Sequence, residues 1–108
     1  MTQKQWTLPR TVVDVVMRIC ADYDRRRAEI DHGDRVSPEV RARYVEYNYA
    51  IDVALAGFEG EVKQALLKDI YLGRGYDRSP AAPFFAKNTY YTTKHKIVWA
   101  IAKGLLLI

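Results

Sequence analysis

Apolar residues recur at helical spacing through most of this chain. Val12, Val16, Ile19 and Tyr23 follow at steps of 4, 3 and 4, which places them on one face of a helix. Val15 and Cys20 widen the stripe. Thr7 is positioned to cap this first helix, and Pro9 to take an early helical position where its missing N–H costs nothing. The helix is predicted over about 8–30, ending before the polar stretch from Asp31 to Arg35, which contains Gly33. Ser37-Pro38-Glu39 predicts a second start, with Ser as cap, Pro at the first position and Glu at the positive helix end. Val40, Tyr44, Tyr47, Ile51, Leu55 and Phe58 then recur at steps of 4, 3, 4, 4 and 3, giving a helix over about 38–56 closed by Gly57 and Gly60. Val45 and Tyr49 fall off that stripe, so the helix offers contacts on more than one side.

The remaining pattern is also helical. Glu61 to Leu72 presents Val62, Leu66 and Ile70 on one face, with Ala65 and Leu72 beside them, and Gly73-Arg74-Gly75 stops it. Ser79-Pro80 is a cap-and-start pair for a short helix that Pro83 limits, and Phe84 and Phe85 are expected to plug the core. A last helix, from Asn88 or Thr89 to about Leu105, buries Tyr90, Ile97, Ile101 and Leu105, with Val98 and Trp99 beside the stripe. Five helices result, with no alternating strand pattern, internal repeat or low-complexity segment. The expectation is an all-α fold, a small helical bundle in one domain over 1–108, with a helix-turn-helix at its C-terminal end over about 61–105.

Composition supports a folded chain: of 108 residues, 49% are hydrophobic and 28% charged, unlike disordered sequences. Cys20 is the only cysteine. No internal disulfide can form, which favours a reducing, cytoplasmic location. The first ten residues lack the apolar run of a signal peptide. No apolar stretch approaches the roughly 20 residues needed to cross a bilayer, so no membrane partner is expected. The net charge of +4 is unevenly placed: residues 1–60 hold nine basic and ten acidic side chains, residues 61–108 eight basic and three acidic. That asymmetry points to a polyanion-facing surface in the second part.

No catalytic constellation competes with it. His32 and His95 are the only histidines, no Cys/His pair has zinc-like spacing, and neither a glycine-rich phosphate loop nor a catalytic serine motif is present. Asp22, Asp24, Glu29 and Asp31 are interleaved with Arg25, Arg26 and Arg27, the pattern of helix ion pairs. Asp31, His32 and Asp34 read as a solvated turn. Cys20, on an apolar stripe, reads as a small core residue. Eight tyrosines can stack on bases, but Tyr23, Tyr44 and Tyr47 fall on packing stripes. Neither an enzyme nor a cofactor or metal site is expected.

The last helix carries the candidate chemistry. Its early residues are short and polar, and lysines line its side, which suits contact with base edges and phosphates. Asn88 fits either an adenine edge or the helix cap. Lys94 and Lys96 are candidate phosphate contacts, and Arg74 and Arg78 can clamp the backbone. With Lys87, Thr92 and His95 these form the candidate double-stranded DNA contact set. Trp99, Leu105, Leu106 and Ile108 are more apolar than a free recognition helix needs and are the candidate oligomer interface, in a homodimer.

Over about residues 40–105, this pattern resembles the C-terminal helix-turn-helix of phage-encoded transcription regulators of the ArpU and RinA type, distantly like region four of sigma factors. The matching residues are Leu66-Leu67-Lys68-Asp69-Ile70-Tyr71, Gly75-Tyr76, and Thr89-Tyr90-Tyr91 with Lys94, Lys96 and Ala100. The resemblance implies a small intracellular, prophage-associated DNA-binding regulator of late genes, with RNA polymerase or phage proteins as further partners. Thr92 stands where such proteins commonly carry a basic residue, and Pro80 and Pro83 interrupt the middle helix. The alternative is a helical oligomeric structural or interaction protein, such as a phage packaging or assembly factor.

Overall fold

A computed structural model describes residues 6–32 and 35–108. The first five residues, and Gly33 and Asp34 of the expected solvated turn, lie outside the described residues. Among the described residues the fold is all-α: α1 (Arg10–Ala21), α2 (Tyr23–His32), α3 (Pro38–Ala54), α4 (Gly60–Leu72) and α5 (Lys87–Gly104). The molecule is elongated, 44 × 29 × 21 Å. α1 packs on α4 and α5, α2 lies along α3, and α3 crosses to α5. No described helix is long and apolar enough to cross a membrane.

Two element expectations are corrected. The single first helix is two, broken at Asp22 (φ −96°, ψ 9°). The break lets α1 face α4 and α5 while α2 faces α3. The short helix expected at Ser79-Pro80 is replaced by two 3-10 turns, Tyr76–Arg78 and Ala82–Phe84. Pro80 and Pro83 each remove an N–H donor there, so a continuous i→i−4 ladder has no basis.

The helix ends show which local signals acted. Ser37 caps α3, its Oγ accepting from the Val40 N–H at 3.3 Å with Pro38 at the first position. Pro9, rather than Thr7, is the N-cap residue of α1, its carbonyl accepting from the N–H of both Val12 and Val13. α4 closes on Gly73 at φ 68°, the left-handed conformation in which glycine meets no side-chain penalty. α5 closes the same way on Leu106 at φ 59°. Its neighbour Leu107 donates to the Ala102 carbonyl at 2.8 Å. Holding a leucine there costs roughly 1–2 kcal/mol.

The core joins all five helices through Val16, Cys20, Tyr23, Ile51, Leu55, Leu66, Leu67, Ile70, Tyr90, Ile97 and Ile101. Most of the expected stripes are therefore inside. The exceptions are Val15, Val40 in the first turn of α3, Leu72 and Phe84. Phe84 is 63% exposed and Leu72 57%, because a 3-10 turn and a helix C-terminus carry them past the edge of the core. Phe85 does pack inward, against Phe58 and Tyr90.

A buried polar seam locks α2 to α3. Arg26, expected to form ion pairs along its own helix, is instead buried with Asn48. Arg26 Nε donates to Asn48 Oδ1 at 2.8 Å, its guanidinium also reaches the Ile19 carbonyl, and Asn48 Nδ2 donates to the Tyr23 carbonyl at 3.1 Å. Burial pulls the Arg26 pKa below its usual value, with the Asp22 charge opposing. Asn48→Ala leaves part of a buried guanidinium and a carbonyl unpaired. It is expected to lower the unfolding free energy by about 2–3 kcal/mol in urea titration, and a loss below about 0.5 kcal/mol would show that the seam does not hold the two helices.

Cys20 sits among these side chains, and burial pushes its thiol from about 9 up to about 12, against a smaller opposing effect of Arg26. Between those limits the unfolded chain ionises its thiol and the folded one does not. The unfolded state then binds fewer protons, and stability falls as pH rises, by up to about 1.4 kcal/mol per pH unit. The difference in unfolding free energy between wild type and Cys20→Ala, followed from pH 8 to 10, isolates this thiol and is expected to shrink above pH 9; a constant difference would refute its burial.

Candidate nucleic-acid interface

α5 has two sides with different work. Its buried side is organised by a residue that sequence periodicity did not single out, Asp69 on α4. Asp69 is fully buried. Its Oδ1 accepts from Arg74 Nε at 2.8 Å, and its Oδ2 accepts from the Tyr90 hydroxyl at 2.7 Å and from the Ser79 hydroxyl. The Asp69 backbone carbonyl also accepts the N–H of Arg74. One carboxylate thus joins the end of α4, the glycine turn, the link between the two 3-10 turns and the first turn of α5. Burial, followed by the hydrogen bond to Asp69, raises the Tyr90 pKa above its ordinary value.

Lys94 belongs to this inner cluster. Its Nζ donates to the Arg74 carbonyl at 2.6 Å and lies 5.3 Å from the Tyr90 ring centroid. Desolvation lowers its pKa, with the Asp69 charge acting the other way. Tyr91, next to Tyr90, accepts the Tyr76 N–H at 3.1 Å. A Cβ on Gly75 would stand 3.0 Å from that Tyr91 hydroxyl, so the second glycine of the turn makes room for the start of α5.

The opposite side of α5 carries residues 88, 92, 95, 96, 99 and 103, spaced by threes and fours and hence on one stripe. Asn88, His95, Lys96 and Lys103 are exposed there, with Thr92 and Trp99 half-buried. α5 contains no carboxylate, and Lys96 and Lys103 form no ion pair among the described residues. Lys103 Nζ lies 5.0 Å from the Trp99 ring and Lys96 Nζ 5.5 Å from the Trp6 ring. Grooves of about 460 and 540 Å³ flank the helix, the first beside Lys94, His95 and Val98, the second beside Lys96, Trp99 and Phe58.

The candidate DNA set is therefore divided. Asn88, Thr92, His95 and Lys96 come together on the outer stripe, and Arg78 and Lys87 are exposed near its N-terminal end. Lys94, two residues from Lys96 in a helix of 3.6 residues per turn, points to the other side with the half-buried Arg74. The four cations Arg74, Arg78, Lys94 and Lys96 do not form one exposed face. Asn88 does not cap α5; Ala86 is the N-cap residue, with no side-chain hydrogen bond there. Of the candidate oligomer residues, Trp99 is half-buried against Trp6, ring centroids 5.1 Å apart, and Leu105 packs on the core. Leu106 is 86% exposed and Ile108 50%.

Asp69 completes the inner cluster and Lys103 the outer stripe. Asp69 stands three residues after Leu66 and beside Ile70, on the apolar face of the helix, and a carboxylate on that face is the signal the sequence offers. Among the described residues, no group of three His, Cys, Asp or Glu side chains is placed to hold a metal ion. Comparison with family models, curated proteins and solved structures returns no match.

Removing the hub carboxylate strands two hydroxyls and a guanidinium. Asp69→Ala is expected to lower the unfolding free energy by about 3–5 kcal/mol, against about 0.5 kcal/mol or less for the exposed Asp77→Ala. Equal urea midpoints for the two variants would refute the hub.

Proposed function

We propose that this chain is a non-enzymatic DNA-binding transcriptional regulator that presents the outer stripe of α5 to a major groove. The observation that carries the proposal is the carboxylate-free stripe of Asn88, Thr92, His95, Lys96 and Lys103 on a helix anchored by its opposite side. At about 1.5 Å per residue, 18 residues span about 27 Å, enough to follow a groove over several base pairs. Asn88 and Thr92 lie in its N-terminal half, where recognition helices touch base edges, and Lys96 and Lys103 supply phosphate contacts further along. In this proposal α4, the 3-10 pair and α5 take the parts of a helix-turn-helix, with the Asp69 cluster fixing their angle. The proposed setting is late-gene control in a prophage, taken from the sequence resemblance of residues 40–105 to phage-encoded regulators of the ArpU and RinA type, and the proposed unit is a homodimer, which covers enough duplex.

A second reading, an oligomeric interaction protein, is favoured by one observation. Val45, Tyr49 and Val53 form an exposed apolar row on α3, and Leu106 and Ile108 are exposed at the C-terminal end.

Duplex binding followed by fluorescence anisotropy against salt separates the two. For DNA binding, affinity is expected to fall steeply with salt, and Lys96→Ala/Lys103→Ala to reduce the slope of log K on log salt by about 1.8. Lys94→Met, on the inner side, leaves that slope unchanged. A double variant indistinguishable from wild type, or binding without salt dependence, defeats the proposal; concentration-dependent assembly in sedimentation without duplex binding supports the second reading.

A further inference from the structure

Trp6 lies across the stripe that the DNA-binding proposal uses. Its ring meets Trp99 edge-on, with centroids 5.1 Å apart and planes at 80°. The Lys96 ammonium sits 5.5 Å from its centroid. Trp6 also walls both grooves that flank α5, the one beside His95 and Val98 and the one beside Lys96 and Trp99. A single side chain that borders both grooves spans the helix between them. The segment that holds it there, Thr7 to Pro9, belongs to no helix and leads directly into α1.

This placement conflicts with groove entry. Trp99 cannot meet a duplex while the Trp6 indole stands against its ring, and the Lys96 ammonium, seated on the Trp6 ring face, has part of its shell already filled. We infer that Trp6 is a strap closed over the DNA-contacting side of α5, and that duplex binding requires it to swing away. The inference rests on the DNA-binding proposal. The strap holds the free protein in a binding-incompetent state, so the apparent affinity is reduced by the fraction that is open. An edge-to-face aromatic pair and an exposed cation–π contact together bias such an equilibrium by about 5- to 60-fold. That bias is strong enough to mask a weak nonspecific encounter and weak enough for a matched site to overcome.

Trp6 and Trp99 are the two tryptophans of the chain, which makes the movement observable. Wild type and Trp6→Ala are compared for binding to a mixed-sequence duplex at fixed salt. The variant is expected to bind about fivefold or more tightly. In Trp99→Phe, Trp6 is the sole indole, and its quenching by acrylamide is expected to rise when the duplex is added. Weaker binding by Trp6→Ala makes Trp6 part of the contact surface and overturns the strap, as does equal binding by both proteins. Absence of duplex binding by both proteins overturns both the strap and the DNA-binding proposal. If Trp6→Ala melts too early to be compared, the quenching decides: a rise supports the strap, and an unchanged or reduced value overturns it.

Discussion

Asp69 is a carboxylate on the buried side of α4, out of reach of water, and it is tolerable there because Arg74, Ser79 and Tyr90 converge on its two oxygens. Each donor comes from a different piece of chain: the glycine turn, the 3-10 pair and the first turn of α5. An uncompensated charge in that position would cost several kcal/mol, so the pieces cannot separate without exposing it. α4 and α5 make few direct contacts, and the carboxylate supplies the constraint that apolar packing between them does not.

The direction of α5 follows from that constraint. With the Tyr90 hydroxyl on Asp69 and the Lys94 ammonium on the Arg74 carbonyl, one side of the helix is committed inward. Ile97 and Ile101 continue that side into the core. The remaining side, Asn88 through Lys103, faces outward as a consequence, and it carries positive charge without an acidic neighbour on the same helix. Two lysines separated by one residue thus have opposite parts: Lys94 is an internal donor, and Lys96 belongs to the proposed contact stripe. The aromatic cover of Trp6 acts on the outer stripe and leaves the inner cluster alone.

The same division runs through the arginines of α2. Arg25 pairs with Asp22 at the surface at 3.1 Å, whereas its neighbour Arg26 is buried against Asn48 and lies over the Tyr47 ring. A run of three arginines looks uniform in sequence. The helix rotates consecutive members to different sides, and only a partner from α3 makes one of those sides an interior.

Periodicity and end signals determined the helices. The stripes through Val16, Ile51, Leu66 and Ile101 lie in the core, and the Ser37 cap and the Gly73 stop act locally. These depend on spacing and backbone preference within a few residues, which the sequence contains in full. The uneven charge and the absence of carboxylates from α5 were equally legible. The break at Asp22, the burial of Arg26 and Asp69, the outward turn of Phe84 and the opposite fates of Lys94 and Lys96 were not. Each depends on which distant group arrives to satisfy a charge, a hydroxyl or a ring, and that meeting of Asp69 with Tyr90, or of Trp6 with Trp99, exists only once the helices have packed.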